Sequence, residues 1–82
     1  MKTYNAQVRV TLKRGVLDPQ GKAIEGALDS LGFEGVSQVR QGKTFDIQLD
    51  ATSKKAAEES LNAMCEKLLA NTVIEDYAVS LD

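Results

Sequence analysis

The sequence predicts a single α+β domain over residues 1–82, an antiparallel sheet with two helices on one face, in the order β-α-β-β-α-β. Three observations predict it. Apolar residues alternate at period two near both ends and in the middle of the chain, and two stretches of helical spacing separate these runs. The 82 residues, 43% hydrophobic and 27% charged, suit one small packed domain that gains from self-association.

The first strand covers residues 4–12, where Tyr4, Ala6, Val8, Val10 and Leu12 are apolar and Asn5, Gln7, Arg9 and Thr11 fall between them. Its polar face is either solvated or a docking surface. Asp18 can cap the first helix with Pro19 at its first position, and Ala23, Ile24, Ala27, Leu28 and Leu31 then recur at helical spacing until Gly32 stops it. Gly21 and Gly26 each cost this helix roughly 1 kcal/mol relative to Ala, which points to close backbone packing against a neighbour.

Residues 36–41 read as a short strand of unsettled phase, because Val36 and Val39 do not share a face. Gly42-Lys43 marks a turn, after which Phe45, Ile47 and Leu49 alternate with Thr44, Asp46, Gln48 and Asp50 in a strand that completes a hairpin. Thr52 or Ser53 caps a longer helix whose stripe is Ala57, Leu61, Met64, Cys65, Leu68 and Leu69, and Asn71 can end it in left-handed geometry. Residues 73–81, with Tyr77, Val79 and Leu81 in alternation, form the last strand. This is the split-βαβ arrangement of ferredoxin-like sheets.

Composition excludes whole classes of function. Ten Lys+Arg against twelve Asp+Glu leave a formal charge of −2, which supplies no basic field for nucleic acid or an anionic membrane. No run approaches ~18 apolar residues, and Met1-Lys2-Thr3-Tyr4-Asn5 leads straight into alternation, so a soluble, cytoplasmic chain is expected. With no His and one Cys, the chain lacks the usual general base, the activator of a Ser or Cys nucleophile and a cysteine-clustered metal site. No catalytic, cofactor-binding or metal-binding residue is assigned.

Individual motifs read as structure. The segment Gly15-Val16-Leu17-Asp18-Pro19-Gln20-Gly21-Lys22-Ala23 superficially resembles a phosphate-binding loop, but five residues separate its glycines where four are needed and Ala23 replaces the metal-binding hydroxyl. It reads as a tight strand-to-helix connection that leaves Val16 and Leu17 for partner contact. Phe45 lies where RNA-recognition domains of this topology carry stacking aromatics, yet its phase groups it with Ile47 and Leu49 in the core. Cys65 reads as a buried small hydrophobe, and Asp46, Asp50, Glu75 and Asp76 as surface carboxylates. Lys13-Arg14, Arg40 and Lys43 are solvated charges or contacts to an acidic partner or a phosphate.

Several blocks in order resemble the PurS family. They are Gly15 to Ala23, Leu28-Asp29-Ser30-Leu31-Gly32-Phe33, Gly35-Val36-Ser37-Gln38-Val39-Arg40-Gln41-Gly42-Lys43, and Cys65-Glu66-Lys67-Leu68-Leu69-Ala70-Asn71 with Val73-Ile74-Glu75-Asp76-Tyr77. Arg14 and Thr72 depart from it, standing where the family pattern has Pro, which puts the stiffness of two turns in doubt.

The resemblance implies the small, noncatalytic subunit of a formylglycinamide ribonucleotide amidotransferase in purine biosynthesis. It implies a homodimer or tetramer that docks a glutaminase subunit to a large synthetase subunit and supports ammonia transfer between them. ATP, Mg and glutamine are then used by those partners, and this chain takes no cofactor. Lys13, Gly15, Val16, Leu17, Asp18, Pro19, Gln20, Gly21, Arg40, Gly42 and Lys43 are the expected partner contacts. The competing readings are an amino-acid-sensing regulatory domain of the same topology and, more distantly, an RNA-binding module.

Overall fold

Strict alternation makes one strand the centre of the sheet. In a computed structural model, which describes all residues 1–82, β1 (Lys2–Leu12) pairs antiparallel with β2 (Gly42–Ala51) on one side and with β3 (Glu75–Leu81) on the other. Val8 stands opposite both Phe45 and Val79. Period-two spacing therefore sends Ala6, Val8 and Val10 into the core, with Phe45, Ile47, Leu49, Tyr77, Val79 and Leu81 packed beside them.

One helix covers this face. α2 (Lys54–Met64) starts at Ser53, whose Oγ accepts the Ala56 N–H at 3.1 Å, and it buries Ala57 and Leu61 against the sheet. A π-helical turn, Cys65–Leu69, follows it. The wider turn buries Cys65 and half-buries Leu69 but swings Leu68 to 83% exposure, so Leu68 leaves the predicted stripe. Asn71 does not adopt left-handed geometry, since no residue other than glycine has positive φ. The Ala70 N–H instead closes the helix onto the Cys65 carbonyl at 3.0 Å.

α1 (Pro19–Ser30) begins and ends as its sequence dictates. Asp18 is the N-cap and Pro19 follows it, while Gly32 at φ 92° lets the Gly32 and Phe33 N–H groups donate to the Asp29 and Leu28 carbonyls, both at 3.0 Å. Its apolar stripe is a different matter. Within this chain Ala23, Ile24, Ala27 and Leu31 are exposed and Leu28 is half-buried, so α1 stands beside its own sheet.

The fold class is α+β with the ferredoxin-like split-βαβ order, and three strands form the sheet, in the order β2-β1-β3. Residues 36–41 do not pair as the expected second strand, and Gly42 and Lys43 do not turn. Both join β2, opposite Thr11 and Val10. The reason lies in the donors of the return segment, residues 34–41: the Val39 N–H goes to Glu25 Oε2 at 3.1 Å and the Gln41 N–H to Asp18 Oδ2 at 2.6 Å. Carboxylates of α1 and its cap take what a neighbouring strand would use. No backbone-to-backbone hydrogen bond joins this segment to the rest of the chain.

The outcome is an elongated protomer. Its extents are 52 × 24 × 15 Å and its radius of gyration is 16.5 Å, where a compact chain of this length has about 12 Å. α1 and the return segment form an arm beside the body made by the sheet and α2.

Candidate functional site

The expected contact residues converge at the root of this arm. Two chain crossings join arm to body there: residues 13–18, which lead from β1 into α1, and residues 39–41, which lead back into β2. Loop residues 13–16 close a turn through the Val16 N–H and the Lys13 carbonyl at 3.0 Å. Across that turn reaches Arg40, whose Nη2 donates to the Lys13 and Val16 carbonyls, each at 3.1 Å, and to the Leu12 carbonyl at 3.4 Å.

Asp18 is the buried charge of the root. Oδ1 accepts the Gly21 N–H at 2.9 Å, as a capping carboxylate should, while Oδ2 accepts the Gln41 N–H from the other crossing. The Gln41 and Gly21 donors hold its carboxyl below the usual carboxylate range, the Arg40 charge adds to this, and burial opposes it. Gly21 is buried directly beneath the Val39 carbonyl, in van der Waals contact that leaves no room for a Cβ. The close packing expected at Gly21 is present, and at Gly26 nothing lies within 4 Å.

An open cleft of about 370 Å³ lies between these groups, lined by Asp18, Pro19, Gln20, Gly42, Lys43 and Glu75 among others. Lys43 Nζ stands 3.9 Å from Glu75 Oε2 and 5.8 Å from the Phe45 ring centroid. Lys13 Nζ pairs with Asp76 Oδ1 at 2.8 Å. Of the remaining candidates, Gly15 has open space around it, Gln20 is exposed, and Leu17 presents 67% of its surface to solvent.

Sequence reasoning missed the partners of these groups. Gln41 and Glu25 bind the arm together, and Glu75 and Asp76 are the counterions of Lys43 and Lys13. The spacing of charges along the chain held no signal for these pairs, because each joins segments that only the fold brings together.

Exposed apolar surface runs from the root to the tip. Leu31 is 73% exposed and Phe33 58%, and Ile24 and Val36 are exposed between them and the body. No three His, Cys, Asp or Glu side chains stand close enough to hold a metal ion, and no helix is long and apolar enough to cross a membrane. The arrangement offers surfaces for another protein: an apolar helix face, a return segment that makes no backbone-to-backbone bond and the free edge of β2.

Comparison with known proteins decides the family. A sequence profile of PurS, phosphoribosylformylglycinamidine (FGAM) synthase, matches residues 5–82. The chain belongs to the PurS family. It is 46% identical over 79 residues to the phosphoribosylformylglycinamidine synthase subunit PurS of Synechocystis sp., covering 96% of this chain and 79% of that protein. The crystal structure of PurS from Methanocaldococcus jannaschii, one of the subunits of formylglycinamide ribonucleotide amidotransferase in the purine biosynthetic pathway, matches with a TM-score of 0.86 at 42% identity, over 96% of this chain and 95% of that one. A chain in the structure of PurLQS from Thermotoga maritima matches over 100% of both chains, with a TM-score of 0.90 at 32% identity.

The two departures from the PurS pattern leave both turns closed. The Arg14 turn is held by its own hydrogen bond and by Arg40. At Thr72, the Asn71 side chain accepts the Val73 N–H at 3.2 Å, and the Asn71 carbonyl accepts the Ile74 and Glu75 N–H groups at 3.0 and 2.7 Å.

Proposed function

We propose that this chain is the noncatalytic assembly subunit of a phosphoribosylformylglycinamidine synthase in purine biosynthesis, docking a glutaminase subunit to an ATP-dependent synthetase subunit and supporting the passage of ammonia between them. The full-length fit to a chain of the Thermotoga maritima PurLQS structure is the observation that carries this reading. ATP, Mg and glutamine are used by the partner subunits, and the chain itself takes no cofactor. It works in the cytoplasm with those partners.

It acts as a homodimer or a higher oligomer, and the arm supports this part. The Ile24, Leu28 and Leu31 stripe on α1 lacks a sheet to cover. The edge strand β2 lacks a neighbour on its outer side, and residues 34–41 lack backbone partners. One chain cannot bring these together, because the return segment runs directly into β2. A second copy related by a two-fold can: its residues 34–41 lie along the free edge of β2 and its α1 lies over Phe45, Ile47 and Leu49, which are half-buried in a single chain.

The test is glutamine-dependent formation of the amidine product by the synthetase and glutaminase subunits, with and without this chain, with ammonium salt as an alternative nitrogen source. Turnover with glutamine is expected to require the chain, and turnover with ammonium to depend on it little. Full glutamine-dependent turnover without the chain overturns the proposal.

A further inference from the structure

We propose that Asp18 and Arg40 form a polar clasp that fixes the arm against the body before a second copy arrives. The clasp rests on the reading of α1 as a docking arm and adds to it how the arm is held ready.

The physical argument starts from what else could hold α1. A helix of twelve residues is marginal in water by itself, and the apolar stripe of α1 is largely exposed in its own chain. What remains lies along the arm and at its root. The carboxylate of Asp18 binds both crossings at once, through the Gly21 N–H on α1 and the Gln41 N–H at the start of β2. Arg40 binds the same two crossings in the other direction, from the return segment to the Leu12, Lys13 and Val16 carbonyls. Glu25, one turn along α1 from Gly21, takes the Val39 N–H and continues the clasp along the arm.

Asp18 is only 6% exposed and both of its carboxylate oxygens are engaged, so removing its charge leaves the Gly21 or the Gln41 N–H without an acceptor. Arg40 is exposed, and its bonds hold the turn from the solvent side. Arg40 meets all three carbonyls through one nitrogen, Nη2, at the far end of its side chain, a point that the shorter lysine side chain falls short of. Without the clasp, α1 hangs on two tethers and must be ordered at the moment of docking, a cost that falls on affinity.

The experiment uses the full chain with Asp18→Asn and Arg40→Ala, plus Arg40→Lys as the conservative variant. Self-association is measured by analytical ultracentrifugation across a dilution series, and amide hydrogen exchange is measured in the most dilute sample. For Asp18→Asn and Arg40→Ala the dissociation constant is expected to rise by at least about tenfold, on the scale of ordering a few residues. Amides of α1 should exchange faster while those of β1 keep their protection, with Arg40→Lys falling between Arg40→Ala and the unmodified chain.

Unchanged association in both variants overturns the clasp, as does unchanged α1 protection. Loss of β1 protection along with α1 also overturns it, since the residues then hold the whole fold and not the arm. An unmodified chain that stays monomeric at every concentration removes the docking reading instead. In that case α1 exchange in the monomer still decides whether Asp18 and Arg40 hold the arm.

Discussion

At the scale of single residues, Asp18 shows how one carboxylate serves both local and long-range structure. Its capping bond to Gly21 is what any Asp before a Pro-led helix offers, whereas its bond to the Gln41 N–H crosses 23 residues of sequence. Both donors favour the charged form, so the folded pKa lies below the ordinary value of 3.8. A lowered carboxyl pKa stabilises the fold fully above the unfolded value, and the contribution disappears as pH falls through the folded one. The stability difference between the unmodified chain and Asp18→Asn should therefore be constant above about pH 5 and shrink below pH 4. Thermal melts of the two proteins across that range check it, and a difference that grows on acidification contradicts the assignment. Arg40 is the main cation facing this carboxylate, while Glu25 approaches the same segment from α1. By contrast, the Lys13–Asp76 pair is 42% and 63% exposed and adds little to stability, so its lysine remains available to a partner. Cys65 is the opposite case: burial, with Glu66 nearby, pushes its thiol up, which suits the buried hydrophobe its sequence position predicted.

At the scale of elements, the two glycines of α1 separate what a sequence can and cannot say. Both cost the helix the same propensity, yet only Gly21 has a backbone carbonyl against it. In a chain dilute enough to stay monomeric, Gly26→Ala should raise stability by roughly 0.5–1 kcal/mol through propensity. Gly21→Ala should lower it by about 1–3 kcal/mol, because its Cβ meets the Val39 carbonyl and the arm must shift. Urea unfolding of both variants reads the opposite signs, and two equal gains would show that Gly21 packs against nothing. The central elements were legible for a physical reason: in β1, β2 and α2 the period of the apolar residues and the face they bury coincide. Residues 36–41 were not, because a strand is defined by its partner and here the donors turn to Glu25 and Asp18. Leu68 was misassigned because a π turn changes the angle per residue after Met64, which a fixed 3.6-residue count cannot register. The expected contact residues were read as blocks of sequence, but their convergence on one root was invisible, since Arg40 and Lys13 meet only through the fold.

At the scale of the whole molecule, an amphipathic helix announces that it has a partner without saying which chain supplies it. α1 carries a stripe that would cover a sheet, and its own sheet lies out of reach at the far side of the root, which accounts for the 52 Å length of an 82-residue chain. That geometry yields a prediction that separates a docked arm from a solvated one. Ile24 is 38% exposed in the single chain, so Ile24→Asp should leave the monomer folded, at a stability cost of about 1–2 kcal/mol. If a second copy buries the stripe, the same change places an unpaired charge in an apolar interface, and association should weaken by two orders of magnitude or more. Sedimentation of the variant should then show a folded monomer whose far-ultraviolet circular dichroism matches the unmodified chain at equal dilution. Added to the synthetase and glutaminase, this monomer should fail to support glutamine-dependent turnover while ammonium-dependent turnover is unaffected, on the proposal that coupling needs the assembled subunit and the partners' own chemistry does not. A fully active monomer would show that one protomer suffices to join the two enzymes, and a variant that remains dimeric would move the self-contact away from α1.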